Sequence, residues 1–284
     1  MNDILIIFPS WEERSILGFQ RDIEQYSNLS DVVLFKFEVS AHPVKTDNNI
    51  SEIKSMCPNK NIVFNDIVIP NSEVEKWRKL EDFAKNLNVN ANIYVDITTM
   101  PRSIIWTLFF FFKQKYKQVT VIYHKPRSYS DTWLSKDPDI PQLLFKHSGI
   151  IEFGKPTTLF VLAGYDEDRV IQLINYYEPQ NVIVGECNQR KSCKYGIAKP
   201  EIFDIDEYDT TWGYNTIEPK IKNILETSNL IVASLGPKTG AISIYQCFMK
   251  YSQIALSYVP CKEFNIDYCN GIGEQFIKTI DMKV

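Results

Sequence analysis

The chain has 284 residues, 44% of them hydrophobic, and a formal net charge of -4 at neutral pH. That length suits one large domain or two of about half the chain each, and the apolar content excludes a disordered polymer. Mild acidity without a long basic run argues against nonspecific binding to duplex nucleic acid.

The N-terminal stretch reads Met1-Asn2-Asp3-Ile4-Leu5-Ile6-Ile7-Phe8-Pro9. It has no basic n-region and only a strand's length of apolar residues, so it predicts a first strand rather than a signal peptide, and a cytoplasmic protein. Short apolar runs predict strands at 4–8, 32–37, 62–64, 93–96 and 119–123. Longer amphipathic runs predict helices at 12–26, 72–87 and 103–116. The apolar run 104–112 is too short to span a bilayer and ends in Lys113, Lys115 and Lys117, which suit a helix C-terminus. No membrane association is expected. The stretch 127–153 lacks periodicity and reads as a loop, a hairpin or an inter-domain connection.

The pattern then restarts. Ile4 to Arg14 and Thr158 to Arg169 each read as a buried strand, a turn of small residues, an aromatic ring and acidic residues opening a helix. Asp31-Val32-Val33-Leu34 matches Asn181-Val182-Ile183-Val184. Asn92 to Arg102 parallels Asn229 to Lys238, one residue shorter. Helices follow both, and then Gln118 to Tyr123 matches Gln253 to Tyr258. Four matches in the same order predict an internal duplication. The expected fold is α/β, with two tandem Rossmann-like halves over 1–150 and 155–284, each with a mainly parallel sheet.

Ligands of open parallel sheets sit outside the carboxyl ends of the strands, where strand order reverses. Two turns per half qualify. The first contains Ser10 and Trp11, matched by Gly164 and Tyr165. The second contains Thr98, Thr99, Pro101 and Arg102, matched by Ser234, Gly236, Pro237, Lys238 and Thr239. Proline suits a helix start, and Ser or Thr just ahead can cap it. A basic residue there is anomalous, because the helix macrodipole disfavours it. Its recurrence in Arg102 and Lys238 points to anion binding at both helix starts. Trp11 and Tyr165 offer rings that stack on a base, or that pack on the helix.

Familiar catalytic patterns are missing: no GxxxxGK[ST], no GxGxxG after a strand, no GxSxG and no HExxH. Cys57, Cys187, Cys193, Cys247, Cys261 and Cys269 form no CxxC pair and read as free thiols. No metal and no cofactor is expected. His42, His124 and His147 are scattered, and His124 follows a predicted strand end. The acidic run Asp204 to Asp209 reads as a solvated loop. Should the chain be an enzyme, Asp96, Glu12 and Asp166 are the candidate acid–base groups. Glu12, Glu13, Asp166 and Glu167 equally favour a helix start.

At Asp96-Ile97-Thr98-Thr99-Met100-Pro101-Arg102 the chain resembles the CARF family of Rossmann-like sensor domains. In that family a strand ends in an aspartate, an aliphatic and a threonine, followed by a short turn and a basic residue opening the next helix. Asp96, Ile97, Thr98 and Arg102 fall on those places, while the family's glycine-rich turn is here Thr99-Met100-Pro101. Ser234 to Lys238 is a looser match without the aspartate. A chain with two copies resembles the related SAVED arrangement. The resemblance implies a sensor of a cyclic oligonucleotide messenger, bound in a cleft between the halves with Thr98, Arg102 and Lys238 near phosphates, in bacterial antiviral defence. It also implies a separate effector protein or an oligomer. Some such domains cleave their own ligand. The alternatives are an enzyme on a nucleotide or nucleoside, of phosphodiesterase or glycosidase type, and a protein-binding scaffold.

Overall fold

The computed structural model describes residues 2–57, 61–187 and 200–283. The elements in chain order are β1 (Asp3–Ile7), α1 (Arg14–Gln25), β2 (Leu29–Phe37), α2 (Pro43–Ser55), β3 (Val63–Ile69), α3 (Glu73–Asn86), β4 (Asn92–Asp96), α4 (Arg102–Lys115) and β5 (Gln118–Tyr129). They continue with β6 (Ser135–Pro138), β7 (Gln142–Ser148), β8 (Thr157–Leu162), α5 (Glu167–Tyr177), β9 (Asn181–Cys187), β10 (Glu201–Ile205) and α6 (Tyr214–Thr227). The last are β11 (Asn229–Ser234), α7 (Lys238–Lys250), β12 (Ala255–Tyr258), β13 (Cys261–Phe264) and β14 (Cys269–Asp281).

The chain forms two compact units, Met1–Thr132 with Asn265–Val284, and Trp133–Phe264. Unit 1 holds a six-stranded sheet in the order β14-β5-β4-β1-β2-β3. Unit 2 holds one in the order β10-β9-β8-β11-β12-β7, with a small β13-β6 pair. Five strands of each large sheet run parallel. The sixth is antiparallel: β14 on β5 in unit 1, and β7 on β12 in unit 2. The fold is thus α/β with two tandem halves, as the repeat implies, and the parallel strands correspond one to one: β1, β2, β4 and β5 with β8, β9, β11 and β12.

The division at 1–150 and 155–284 is corrected. Residues 142–148 belong to the sheet of unit 2, and the C-terminal β14 returns to unit 1, pairing with β5 from Cys269↔Tyr129 to Asp281↔Gln118. The reason is that each parallel sheet carries one more strand than its βα alternation supplies. That strand is antiparallel and drawn from outside the repeat. The stretch 127–153 accordingly holds the end of β5, then β6 and β7.

Central strands are buried on both faces, as parallel sheets require. Every residue of β1 is buried, and all but the first of β8. Between them and the helices lie apolar cores, one centred on Leu5, Phe19, Val32 and Ile122, the other on Leu159, Val161, Leu173 and Ala233. Of the helices that follow the switch-point strands, α4 buries Ile104 to Phe109 without a break, and α7 buries Thr239 to Tyr245. Among the described residues, no helix is long and apolar enough to cross a membrane.

Candidate functional site

In unit 1 the chain leaves β1 toward β2 and β3 on one side and reaches β4 and β5 on the other, so strand order reverses between β1 and β4. In unit 2 it reverses between β8 and β11. These are the switch points at which doubly wound sheets bind ligands. The turns with Ser10–Trp11 and Thr98–Arg102 follow β1 and β4, and those with Gly164–Tyr165 and Ser234–Thr239 follow β8 and β11. The fold therefore brings each predicted pair of turns to one crevice within its own unit.

In unit 1 the two turns are stitched together. Thr99 Oγ1 donates to the Phe8 carbonyl at 2.5 Å. Thr98 lies fully buried, its N–H donating to Asp96 Oδ1 at 2.7 Å and its Oγ1 accepting from the His124 N–H at 2.9 Å. The expected Ser/Thr cap does not form, because both threonines are spent on these bonds. Pro101 is the N-cap of α4, without a side-chain cap, and Arg102 takes the first helical position, half-buried. Ser10 Oγ accepts from the Glu12 N–H at 3.1 Å, and its carbonyl accepts from Asn49 Nδ2 at 2.8 Å. Trp11 Nε1 donates to the Asn265 carbonyl at 3.1 Å while the ring meets His42 edge-on at 4.9 Å. That ring is a packing element of unit 1.

Two of the candidate acids of unit 1 are held by neighbours. Glu12 is buried in an ion pair with Arg14 at 2.6 Å and accepts from the Cys269 thiol at 3.0 Å. Burial and Glu12 push that thiol up to about 12, which leaves it a poor nucleophile at neutral pH. Asp96 is buried and fixed by the Thr98 N–H.

In unit 2 the turns press closer. A Cβ on Gly164 would lie 1.9 Å from the Leu235 carbonyl oxygen, so only glycine permits this approach. Leu235 and Gly236 both donate to the Leu162 carbonyl, at 2.7 and 3.1 Å. Pro237 is the N-cap of α7, again without a side-chain cap, and Lys238 is its first residue. The Ser234 and Thr239 hydroxyls are buried without a hydrogen-bond partner among the described residues. Tyr165 is 44% exposed, unlike Trp11. Asp166 accepts from the Ser135 backbone N–H at 3.4 Å and from its hydroxyl.

The acidic run 204–209 is not the solvated loop that its composition suggests. Glu207 is completely buried, and its carboxylate lies against the start of α7: a Cβ on Gly236 would be 2.7 Å from Oε2, and one on Gly240 1.9 Å from Oε1. Asp209 caps the following turn, its Oδ1 accepting from the Thr211 and Gly213 N–H groups at 2.7 and 2.9 Å. Helix starts favour acidic groups, and Glu207 brings one from within the chain. Composition cannot reveal this. The trace in the sequence is Gly240, a helix-interior glycine where the duplicated position carries Ile104.

A second constellation was not foreseen. Asp22 on α1, Asp96 at the end of β4 and His124 within β5 are all buried, and each offers a donor atom within 4.8 Å of the others. His124 Nε2 lies 3.0 Å from Asp22 Oδ1, which also accepts from Gln275 Nε2 at 3.3 Å. Asp22 Oδ2 and His124 Nδ1 have no hydrogen-bond partner among the described residues. Burial raises Asp22 to about 7, against the bond to His124. Burial alone would lower the imidazole, but Asp22 and the nearby Asp96 charge raise it above its ordinary value. His42 and His147 stand apart from this trio: His42 contacts Trp11, and His147 lies against Tyr245 and Phe248. Cys193 lies outside the described residues.

No family model matches the chain. No curated protein matches it. Among solved structures, it aligns with the cytoplasmic domain of a prokaryotic cation chloride cotransporter at 9% identity, over 93% of this chain and 98% of that one, with a TM-score of 0.29. It also aligns with a functionally unknown protein from Pseudomonas aeruginosa PAO1 at 10% identity, over 90% of this chain and 92% of that one, with a TM-score of 0.30. Scores this low carry no functional meaning, which leaves the chain's own geometry as the guide to its function.

Proposed function

We propose that this chain binds an anionic nucleotide at the switch points of its α/β units, as a sensor rather than a catalyst. One observation carries the reading: in both units a proline-then-cation turn opens the helix after the switch-point strand, with Arg102 or Lys238 at the first helical position. A cation there opposes the macrodipole, and recurs where such folds hold phosphates. The Ser234 and Thr239 hydroxyls, without a hydrogen-bond partner among the described residues, add polar groups for a ligand to satisfy. Unit 1 is the stronger anion site in this reading, since in unit 2 the Glu207 carboxyl group already lies against the start of the helix. A sensor role also accords with the acids: Glu12, Asp96 and Asp166 are each engaged in bonds that fix them in place. Its signal would pass to a separate effector protein, and a cyclic oligonucleotide is the ligand class that the CARF-like turn suggests.

The test is calorimetry with cyclic and linear oligonucleotides, mononucleotides and NAD, followed by mass spectrometry of the recovered ligand. The expected result is saturable binding of one class, with the ligand recovered intact. The Arg102→Ala/Lys238→Ala variant should stay folded and lose about 1.5–3 kcal/mol of binding free energy, most of it from Arg102. Unchanged affinity in that variant overturns the reading. Turnover lost in Asp96→Asn would instead establish an enzyme, and indifference to every nucleotide a scaffold.

A further inference from the structure

Of the buried trio in unit 1, Asp22 and His124 have no part in the nucleotide reading. We propose that Asp22, Asp96 and His124 form a site for one divalent transition-metal ion of the manganese-to-zinc series. Three elements, α1, β4 and β5, converge to supply one nitrogen and two carboxylate donors within 4.8 Å of one another. Mixed imidazole and carboxylate donors suit those ions, whereas calcium and magnesium prefer oxygen alone. Zinc takes such donors at about 2.0–2.2 Å, so an ion in the site must draw these three donor atoms around itself at that distance.

The hydrogen bonds around the trio support this. Each carboxylate has one oxygen fixed from outside: Asp96 Oδ1 by the Thr98 N–H, and Asp22 Oδ1 by Gln275. This is how outer-sphere groups orient metal ligands. The second oxygen of Asp22 has no partner among the described residues although the residue is completely buried, an expensive arrangement for a carboxylate. The nearby guanidinium groups are directed elsewhere, Arg14 to Glu12 and the His124 carbonyl, Arg21 to the Gly273 carbonyl.

Gly18, one helical turn before Asp22, keeps the space open. A Cβ there would lie 2.9 Å from His124 Cδ2, 3.4 Å from Nε2 and 3.5 Å from Asp96 Oδ2. On binding, His124 keeps one proton on Nδ1 and releases any proton on Nε2, so that the neutral ring gives its Nε2 lone pair to the ion, while Asp22 Oδ1 keeps Gln275.

The experiment uses the full chain, stripped with a chelator and titrated with zinc, manganese or cobalt(II) alone. The expected result is one ion per chain, a raised thermal midpoint and visible ligand-field bands with cobalt. Asp22→Asn/Asp96→Asn should weaken binding by at least about 100-fold, beyond what outer-sphere changes usually cost. Absence of stoichiometric binding by the wild type overturns the proposal, as does one ion held equally well by the double variant. Should that variant not fold, wild-type cobalt spectra decide: bands of nitrogen–oxygen coordination support the site, and their absence or a thiolate charge-transfer band overturns it.

Discussion

The two switch points share a turn and differ in what is packed beneath it. After β1, unit 1 carries Ser10, whose hydroxyl accepts from the Glu12 N–H; after β8, unit 2 carries Gly164, driven against the Leu235 carbonyl. In the first turn of α4, unit 1 buries Ile104; at the same place in α7, unit 2 has Gly240 and the Glu207 carboxylate. Both glycines answer to backbone or carboxylate approach in unit 2. The two units share the topology and the basic residue at the helix start, while what is packed under each turn differs. Lys238 heads a helix beside which a carboxylate is buried, whereas an isoleucine side chain fills the equivalent place behind Arg102.

The largest effect belongs to Gly164→Ser, which copies unit 1 into unit 2. The backbone clash should cost about 3 kcal/mol by denaturant titration. A loss under about 0.5 kcal/mol would show that the two turns do not press together.

Next is the asymmetry of the two cations. Arg102→Ala should lower anionic-ligand affinity by about 2 kcal/mol, and Lys238→Ala by well under half of that. Equal losses by calorimetry would remove Glu207 from the explanation.

Gly240→Ala should cost about 1.5 kcal/mol, the clash with Glu207 outweighing the gain in helix propensity. In a Glu207→Ala background the same change should become neutral or stabilising. A double-mutant cycle with no coupling would contradict the packing described.

The smallest effect separates the two rings. Trp11→Phe loses the bond to the Asn265 carbonyl and should cost about 1 kcal/mol. Tyr165→Phe, at a half-exposed ring, should stay within about 0.5 kcal/mol by thermal unfolding.

Legibility in the sequence followed apolar patterning. The apolar runs of β1, β4 and β8 and the continuous buried face of α4 are legible because central parallel strands and their covering helices are rich in apolar residues. Helix α2 has no legible pattern because it buries Thr46, Asn49 and Ile53, which make no apolar stripe. Strand β14 was missed because an edge strand exposes one side. Capping was read from residue type at 98 and 99, where the hydroxyls are instead spent on the Phe8 carbonyl and the His124 N–H.

The α/β class, the two tandem halves and the four turns at the two switch points are all legible along the chain. Those come from local periodicity and from matched order along the chain. Tertiary structure decided the unit boundaries, the burial of Glu207 beside α7 and the meeting of Asp22, Asp96 and His124. These depend on which distant segments pair and pack. A carboxylate's surroundings, and hence its charge and its partners, are set by that packing and leave no periodic trace in the chain.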